Sequence, residues 1–249
     1  MKNGVRASLR QALSPGILLV GLLACLVMGG NLLNPLLQAR STGGLLRDAH
    51  VQLLADALQS QATAAFLPIL AALPFAGAYV EDVKTKFARF FLIRGSFADY
   101  CLGRALAAFF SGGLGILLGA LALWGGGELV FPSLERPVEG LAPASRQGLA
   151  ETCGLLFCAG GLWALVGMAM STLMESKYIA YCSPFVLYYL LVILYERYLP
   201  EATLLYPPNW ICPACFPYGF WGAVVFLLEL AAAFGLLFGI RARRRLKTL

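Results

Sequence analysis

Long stretches without a charged side chain constrain the fold of this chain more than any other feature of its sequence. Five of these runs have about the length that a helix needs to cross a membrane, and a sixth is interrupted only by Glu229. The six runs are Gly16–Leu33, Ala62–Val80, Ala105–Gly127, Cys153–Met174, Tyr178–Tyr195 and Tyr218–Ile240. Because lipid offers the backbone no hydrogen-bonding partners, each run is expected to form a helix. The sequence therefore predicts an all-α membrane protein with six transmembrane helices, built as one transmembrane domain over residues 1–249.

The basic side chains are divided unevenly between the two sides that six spans would define. With the N-terminus inside, the inner segments hold 14 of the 19 Lys and Arg residues, in groups of three, five, one and five. Because basic loops stay on the cytoplasmic side, both termini are expected in the cytoplasm of a multi-pass protein of the inner or plasma membrane. The net charge of +6 therefore requires no nucleic-acid partner. The basic tail Arg241–Lys247 is interpreted as a stop-transfer anchor, with binding to anionic membrane lipid as the alternative.

Three segments outside the spans have distinct patterns. Residues 1–15 place basic and apolar side chains on adjacent faces of a helix, which predicts an amphipathic helix in the membrane interface. Residues 40–61 have helical spacing and are expected to lie across the outer surface, with His50 as a solvated side chain rather than a ligand. Residues 196–217 are rich in proline and aromatic residues and are too apolar for a solvated loop. They are expected to form a re-entrant outer segment before span six.

Proline and glycine predict the local geometry of several spans. Pro68 and Pro74 are expected to kink span two, either as a bend for packing or as a pivot beside a translocation path. Glycines four residues apart permit close contact between helices, within this subunit or between subunits. Such pairs are Gly115 and Gly119 in span three, and Gly235 and Gly239 in span six.

A charged connector joins spans two and three on the side predicted to be cytoplasmic. Its residues 83–94 are predicted to form a short helix with an apolar ridge on one face and basic residues around it. The ridge consists of Phe87, Phe90 and Phe91, and the flanking residues are Lys84, Lys86, Arg89 and Arg94. An apolar ridge ringed by charge suits insertion into the groove of a partner, whereas the alternative is that the rings lie in the membrane interface. After it, Ser96 and Asp99 have the spacing of a capping box that starts span three.

Several kinds of chemistry are missing from the sequence. The chain has no Gly-x-x-x-x-Gly-Lys-Ser/Thr segment, so it is not expected to cradle a nucleotide phosphate. One histidine is too few for a two-histidine zinc motif, and no conventional Ser-His-Asp site is expected around it, so no catalytic or metal-ligating residues are predicted. Glu229 is the one acid deep in a span. It is either a functional group or a protonated side chain that is bonded to a neighbouring helix.

A Cys-x-x-Cys motif, Cys212-Pro-Ala-Cys215, follows an aromatic residue in the last outer segment. The same spacing is redox-active in thiol oxidoreductases, but that chemistry depends on a βαβ fold that this sequence does not predict. We therefore expect either a short structural disulfide or two buried thiols.

The order of these features resembles the membrane subunit of type-2 ATP-binding-cassette exporters, the bacterial permease family that includes bacteriocin-immunity and antibiotic-export transporters. The most specific part is the connector. Glu81 and Asp82 match the acidic start of the family's segment after span two, and residues 84–92 match its coupling helix. Ser96, Tyr100 and Arg104 match the start of the next span, with Arg104 standing where many relatives have Lys.

The resemblance implies a transport function for a chain that is not itself an enzyme. A separate cytoplasmic ATPase subunit would hold ATP and magnesium and dock against the coupling helix, and this chain would need no cofactor. A second permease, identical or related, would complete a dimer around a central path. The cargo would be a hydrophobic or amphipathic peptide, antibiotic or lipid-like molecule that moves outward.

Two other classes of function remain open at the level of sequence. One is an ion-coupled secondary carrier in which Glu229 binds the proton or ion. The other is a non-transporting membrane protein, either an assembly factor or a redox protein that uses Cys212 and Cys215. Transport that needs a partner ATPase would favour the exporter over both.

Overall fold

A computed structural model of the chain describes residues 8–13, 15–34, 37, 45–46, 49–87, 96–131, 135–136, 146–174 and 176–247. Eight helices of seven residues or more lie in this part of the chain. They are α1 (Gly16–Gly30), α2 (Ala49–Leu58), α3 (Gln61–Ala72), α4 (Ala78–Lys84), α5 (Phe97–Val130), α6 (Gln147–Ser171), α7 (Lys177–Arg197) and α8 (Gly219–Lys247). Two strands of two residues each, β1 (Leu45–Leu46) and β2 (Glu135–Arg136), pair with each other in parallel. Two short 3-10 helices, Thr203–Leu205 and Pro207–Ile211, precede α8.

The expected all-α, multi-pass character is confirmed at the level of helix length and composition. Within the described residues, α5, α6, α7 and α8 are each long and apolar enough to cross a membrane. Helices α2 and α3 meet the same test together, although they are bent by 53° at the residues between them, so the number of candidate spans is four or five. Helix α1 has 15 residues and is shorter than a typical span. The count of six spans stays a prediction.

Span two is interrupted where its second proline lies. Helix α3 continues through Pro68 and ends at Ala72, Pro74 lies in the turn over residues 73–77, and α4 begins at Ala78. Proline has no backbone N–H to donate and its ring obstructs the preceding turn, so a helix ends readily beside it. The interruption separates α4, which leads into the charged connector, from the rest of the span.

Helix α6 lies at the centre of the bundle. In its most apolar 18-residue window 83% of the residues are buried, compared with 50% for α5 and 22% for each of α7 and α8. Glycine allows α5 to approach α6, because a Cβ built on Gly112 would lie 2.8 Å from the carbonyl oxygen of Gly160. A Cβ on Gly119 would lie 2.6 Å from the Cβ of Ala24 in α1. The glycine pair of span three therefore serves contact within the subunit.

The glycine pair of span six has a different environment. A Cβ built on Gly235 or on Gly239 would meet nothing within 4 Å among the residues that the structure describes. These two glycines consequently lie on an open surface of α8.

The prediction that His50 is a solvated side chain is wrong. Residues 49–58 do form a helix, but His50 lies on its buried face with an exposed fraction of 2%. Its ring stacks on Phe131 with the centroids 5.9 Å apart, and its Nε2 lies 3.6 Å from Oε2 of Glu128. Helical spacing predicted the helix but not the neighbours of His50, which lie at the end of α5.

The N-terminal segment is described from residue 8 onward, so most of the predicted interfacial helix lies outside the described residues. Residues 8–12 are helical. Ser8 and Ala12 are buried, with exposed fractions of 9% and 1%, while Arg10 and Leu13 are exposed. One face of this short helix therefore packs on the bundle.

Candidate functional site

A buried ion pair joins α4 to the first turns of α5. Asp82 lies on α4, and Tyr100 and Arg104 lie four residues apart on α5, which places them on the same face of that helix. The backbone N–H of Asp99 donates to Oγ of Ser96 at 3.1 Å, so the predicted cap that starts this helix is confirmed. The cap fixes the residue at which α5 begins and thereby the direction in which Tyr100 and Arg104 project.

Both oxygens of Asp82 accept hydrogen bonds from α5. Nη2 of Arg104 donates to Oδ1 at 2.7 Å, and the hydroxyl of Tyr100 donates to Oδ2 at 2.7 Å. The same guanidinium reaches the N-terminal segment, where its Nη1 donates to Oε1 of Gln11 at 2.7 Å. We call Gln11, Asp82, Tyr100 and Arg104 the Asp82 network. It connects three segments that are distant in the sequence.

The charged members of the Asp82 network are almost completely buried. Asp82 is 5% exposed and Arg104 is 2% exposed. Three aromatic rings lie beside the guanidinium, with centroids 5.4 Å away for Phe75 and 5.9 Å away for Phe87 and for Tyr100. Rings at this distance attract a cation through their quadrupole. The charge on Arg104 is thus balanced by one carboxylate and a cage of aromatic faces.

Burial and pairing act in opposite directions on the ionisation of Asp82. Burial raises the pKa of the carboxyl, whereas the adjacent Arg104 and the hydrogen bond from Tyr100 favour the ionised form. Removing one partner of a buried pair leaves an uncompensated charge, which costs about 3–5 kcal/mol of stability. The arrangement is therefore stable only while all its members are in place.

The other described residues of the connector lie at the surface. Glu81 is exposed and pairs with Lys177 at the start of α7, while Lys84 and Lys86 are exposed. Phe87 is 47% exposed. Asp82, in contrast, does not contribute to the exposed surface on which docking was predicted. Four members of that predicted surface lie outside the described residues: Arg89, Phe90, Phe91 and Arg94.

A second polar cluster lies at the opposite end of α5. Nε and Nη2 of Arg146 donate to Oε1 and Oε2 of Glu128 at 2.8 and 3.1 Å, and Nε1 of Trp124 donates to Oε1 at 3.1 Å. With His50 beside it, Glu128 connects α2, α5 and the start of α6. This cluster was not predicted from the sequence. The four-residue spacing of Trp124 and Glu128 was visible, but Arg146 is 18 residues away from Glu128 in the sequence.

Polar side chains also hold the bend between α2 and α3. Ser60 caps α3 by accepting from the backbone N–H of Thr63 at 3.2 Å, and Nδ2 of Asn31 donates to Oγ of Ser60 at 2.8 Å. The hydroxyl of Thr63 donates to the carbonyl oxygen of Ala57 at 2.9 Å. These bonds supply partners for backbone groups that the break in the helix would leave unpaired.

The segment before α8 packs into the bundle. Cys212 and Cys215 are joined by a disulfide, with their Cα atoms 5.3 Å apart. Trp210 is 4% exposed, stacks on Trp163 with centroids 5.7 Å apart, and donates from Nε1 to the carbonyl oxygen of Leu204. At the usual rise per residue, Trp163 lies about 24 Å along the axis of α6 from the first residue of that helix. The segment therefore contacts α6 far from its end.

Glu229 lies on an open face of α8. Its side chain is exposed, and no hydrogen bond or ion pair to it occurs in the part of the chain that the structure describes. The interpretation in which Glu229 is bonded to a neighbouring helix therefore has no support here. A groove with a cavity volume of about 440 Å³ reaches it. The groove is lined mainly by Phe216, Tyr218, Trp221, Val225, Phe226 and Glu229.

Comparisons with protein-family models and with curated protein sequences found no match to this chain. Among the described residues, no three His, Cys, Asp or Glu side chains lie together in a way that could hold a metal ion. The geometry of the chain itself, and above all the Asp82 network, therefore indicates its function.

Proposed function

We propose that this chain is the membrane-embedded permease subunit of an ATP-driven exporter of the type-2 ATP-binding-cassette class. A cytoplasmic ATPase subunit supplies the energy, and a second permease, identical or related, completes the translocation path. The observation that carries the proposal is the Asp82 network, because it gives the charged connector a rigid connection to the longest helix. The resemblance of the connector sequence supports the same assignment.

The network is suited to transmit a displacement of the connector. The predicted coupling segment begins directly after Asp82, and the hydrogen bonds from Arg104 and Tyr100 attach that residue to α5. Helix α5 has 34 residues and is therefore about 51 Å long. At its other end, Glu128 connects it to α2 and α6. A push on the connector would move α5 as a lever and would reach the opposite side of the bundle.

The surface beside the network supplies a docking site for the ATPase in this proposal. Glu81, Lys84 and Lys86 are exposed, and Phe87 presents about half of its surface while its ring lies 5.9 Å from the Arg104 guanidinium. An aromatic side chain that enters a partner's pocket commonly dominates the energy of an interface. Docking on Phe87 would thus act directly on the buried charge.

The proposal includes a membrane topology of six spans with both termini in the cytoplasm. Helix α1 would be span one, the bent α2–α3 region with α4 would bring the chain to the cytoplasmic connector, and α5 to α8 would be the remaining spans. In this arrangement the segment over residues 196–217 is re-entrant from the outer side, and the packing of Trp210 on Trp163 supports that placement. Cysteine accessibility at Lys84 and at Tyr198 tests the sidedness.

The test of the proposal begins with the complex. When the full chain is purified in mild detergent, a subunit that carries a phosphate-binding loop should co-purify in a stoichiometric amount. ATP hydrolysis by that complex should depend on an intact connector. The control is a partner variant that lacks the phosphate-loop lysine, which should bind the permease but hydrolyse no ATP. Ion-driven transport by the chain alone, without such a subunit, would reject the proposal.

An ion-coupled carrier is the second candidate, and the observation that favours it is the exposed acid in the middle of α8. Titration of Glu229 during each transport cycle would then be obligatory. Dependence on a proton gradient separates the two candidates, because the exporter continues to turn over with ATP when the gradient has been collapsed.

A further inference from the structure

We propose that the groove beside Glu229 binds a lipophilic cation, that is, a molecule with one permanent or protonated positive charge on a largely apolar body. The groove combines a single carboxylate with aromatic walls and opens on the side of the bundle. This inference names a ligand class for a site that the exporter proposal does not specify. It depends on that proposal for transport but not for binding.

The position of Glu229 makes a free carboxylate costly. It lies ten residues after Gly219, the first residue of α8, and twelve before Arg241, which corresponds to about 15 Å and 18 Å along the helix axis. The carboxylate is therefore near the middle of an apolar helix. A charge at that depth is expensive unless an opposite charge or water meets it. Among the described residues no basic side chain does so, and a cationic ligand would supply that counter-charge.

The walls of the groove have the chemistry that stabilises a cation in an apolar setting. Trp221 and Tyr218 are each 75% exposed, Phe226 forms part of the lining, and Val225 lies between the turns that carry Trp221 and Glu229. Faces of Trp, Tyr and Phe attract cations through their quadrupole, and Trp does so most strongly. An attraction between opposite charges is also much stronger here than in water because the local dielectric constant is low.

The shape of the groove favours a small ligand over a second helix. Its volume of about 440 Å³ lies within the range of ligand pockets, which is roughly 300–1,000 Å³. Phe216, which is 4% exposed, lies beside the disulfide between Cys212 and Cys215 and forms a rigid outer wall. A second copy seated on this face by a two-fold axis would bring a second Glu229 towards the first, and like charges repel.

Binding of tetraphenylphosphonium to the full chain in nanodiscs of zwitterionic lipid tests the proposal, with empty nanodiscs subtracted. Tetraphenylborate is the matched ligand, because it has nearly the same size and the opposite charge. We expect saturable binding of the cation in preference to the anion. Glu229→Gln should raise the Kd for the cation by about tenfold or more, which corresponds to the loss of roughly 1.4 kcal/mol. Glu196→Gln, an exposed acid near the end of α7, should leave the Kd unchanged.

A second variant keeps the proposal testable if Glu229→Gln does not fold. Trp221 is largely exposed, so Trp221→Ala is expected to fold and to weaken binding of the cation through the lost aromatic face. An unchanged Kd in both variants overturns the proposal. The proposal is also overturned if Glu229→Gln changes the oligomeric state but leaves cation binding unchanged, since the groove would then be a subunit interface. No ATPase is present in this assay, so its failure leaves the exporter proposal standing.

Discussion

The guanidinium of Arg104 and the carboxylate of Asp82 meet at 2.7 Å in the interior of the bundle, where each residue is at most 5% exposed. The two residues are 22 positions apart in the sequence, and the charged connector lies between them. The pair therefore closes the connector into a loop whose two ends are held together by a buried charge contact.

The first prediction concerns the stability of this pair. Arg104→Met should lower the free energy of unfolding by about 3–5 kcal/mol, because Asp82 is left buried and uncompensated. The double variant Asp82→Leu/Arg104→Met should recover much of that loss, since neither charge remains. Unfolding of the wild type, Arg104→Met, Asp82→Leu and the double variant in the same detergent measures the coupling. If the two single effects simply add in the double variant, the residues do not form an interdependent pair.

The second prediction concerns docking of the ATPase. Phe87→Asp, and likewise Phe90→Asp, should abolish association with the ATPase while the permease still inserts, because a charge replaces an apolar contact at the centre of the proposed surface. Tyr198→Asp is the matched control, because Tyr198 is also an exposed aromatic residue, with 71% exposure, but follows the end of α7 that is remote from Lys177. Co-purification of an intact complex with either Phe variant would show that the coupling surface lies elsewhere.

The third prediction concerns the disulfide. Cys212→Ser/Cys215→Ser should retain transport and ATP hydrolysis, since Trp210 and Phe216 are held by their own packing against α6 and α8. At most a modest loss of stability is expected, because the disulfide closes a very short loop. Activity and the unfolding midpoint are measured on the same preparation. An inactive double variant with an unchanged midpoint would revive the redox function.

The fourth prediction separates the two modes of energy supply. Glu229→Gln should retain ATP-dependent export and alter at most the preference among cargoes, because the glutamine keeps the shape of the side chain but cannot titrate. Transport by the reconstituted complex is measured in vesicles with ATP supplied and the proton gradient collapsed. If collapsing the gradient stops the wild-type protein, and Glu229→Gln is inactive under every condition, the carrier replaces the exporter.

The fifth prediction uses two glycines with opposite surroundings. Gly119→Ala should destabilise the protein by about 1–3 kcal/mol, because its new methyl group would press on Ala24 of α1. Gly239→Ala in α8 should have little effect on the stability of the monomer, because a Cβ there meets nothing within 4 Å among the described residues. Thermal unfolding of both variants provides the comparison. If Gly119→Ala loses as little stability as Gly239→Ala, the contact between α1 and α5 is not tightly packed.

The sequence by itself was sufficient for features that depend on local chemistry. Apolar runs indicated membrane-spanning helices, because a helix pairs the hydrogen-bonding groups of its own backbone in lipid. The cap at Ser96 and the interruption at Pro74 were also predictable, because a side-chain acceptor and a missing N–H act on the nearest turn.

The tertiary structure alone decided which of these local features meet. Arg104 and Asp82 are each ordinary charges beside a span, and nothing in their spacing indicates that both are buried against one another. His50 was expected in water because a lone polar residue in an outer segment usually is, yet it is buried beside Glu128 and Phe131 at the end of α5. A bond from Glu229 to a neighbouring helix was one of two expectations, and instead Glu229 lies on an open face of α8. A sequence pattern predicts which face of a helix is apolar. The neighbour that covers this face depends on how all the helices pack together, which is a property of the whole bundle.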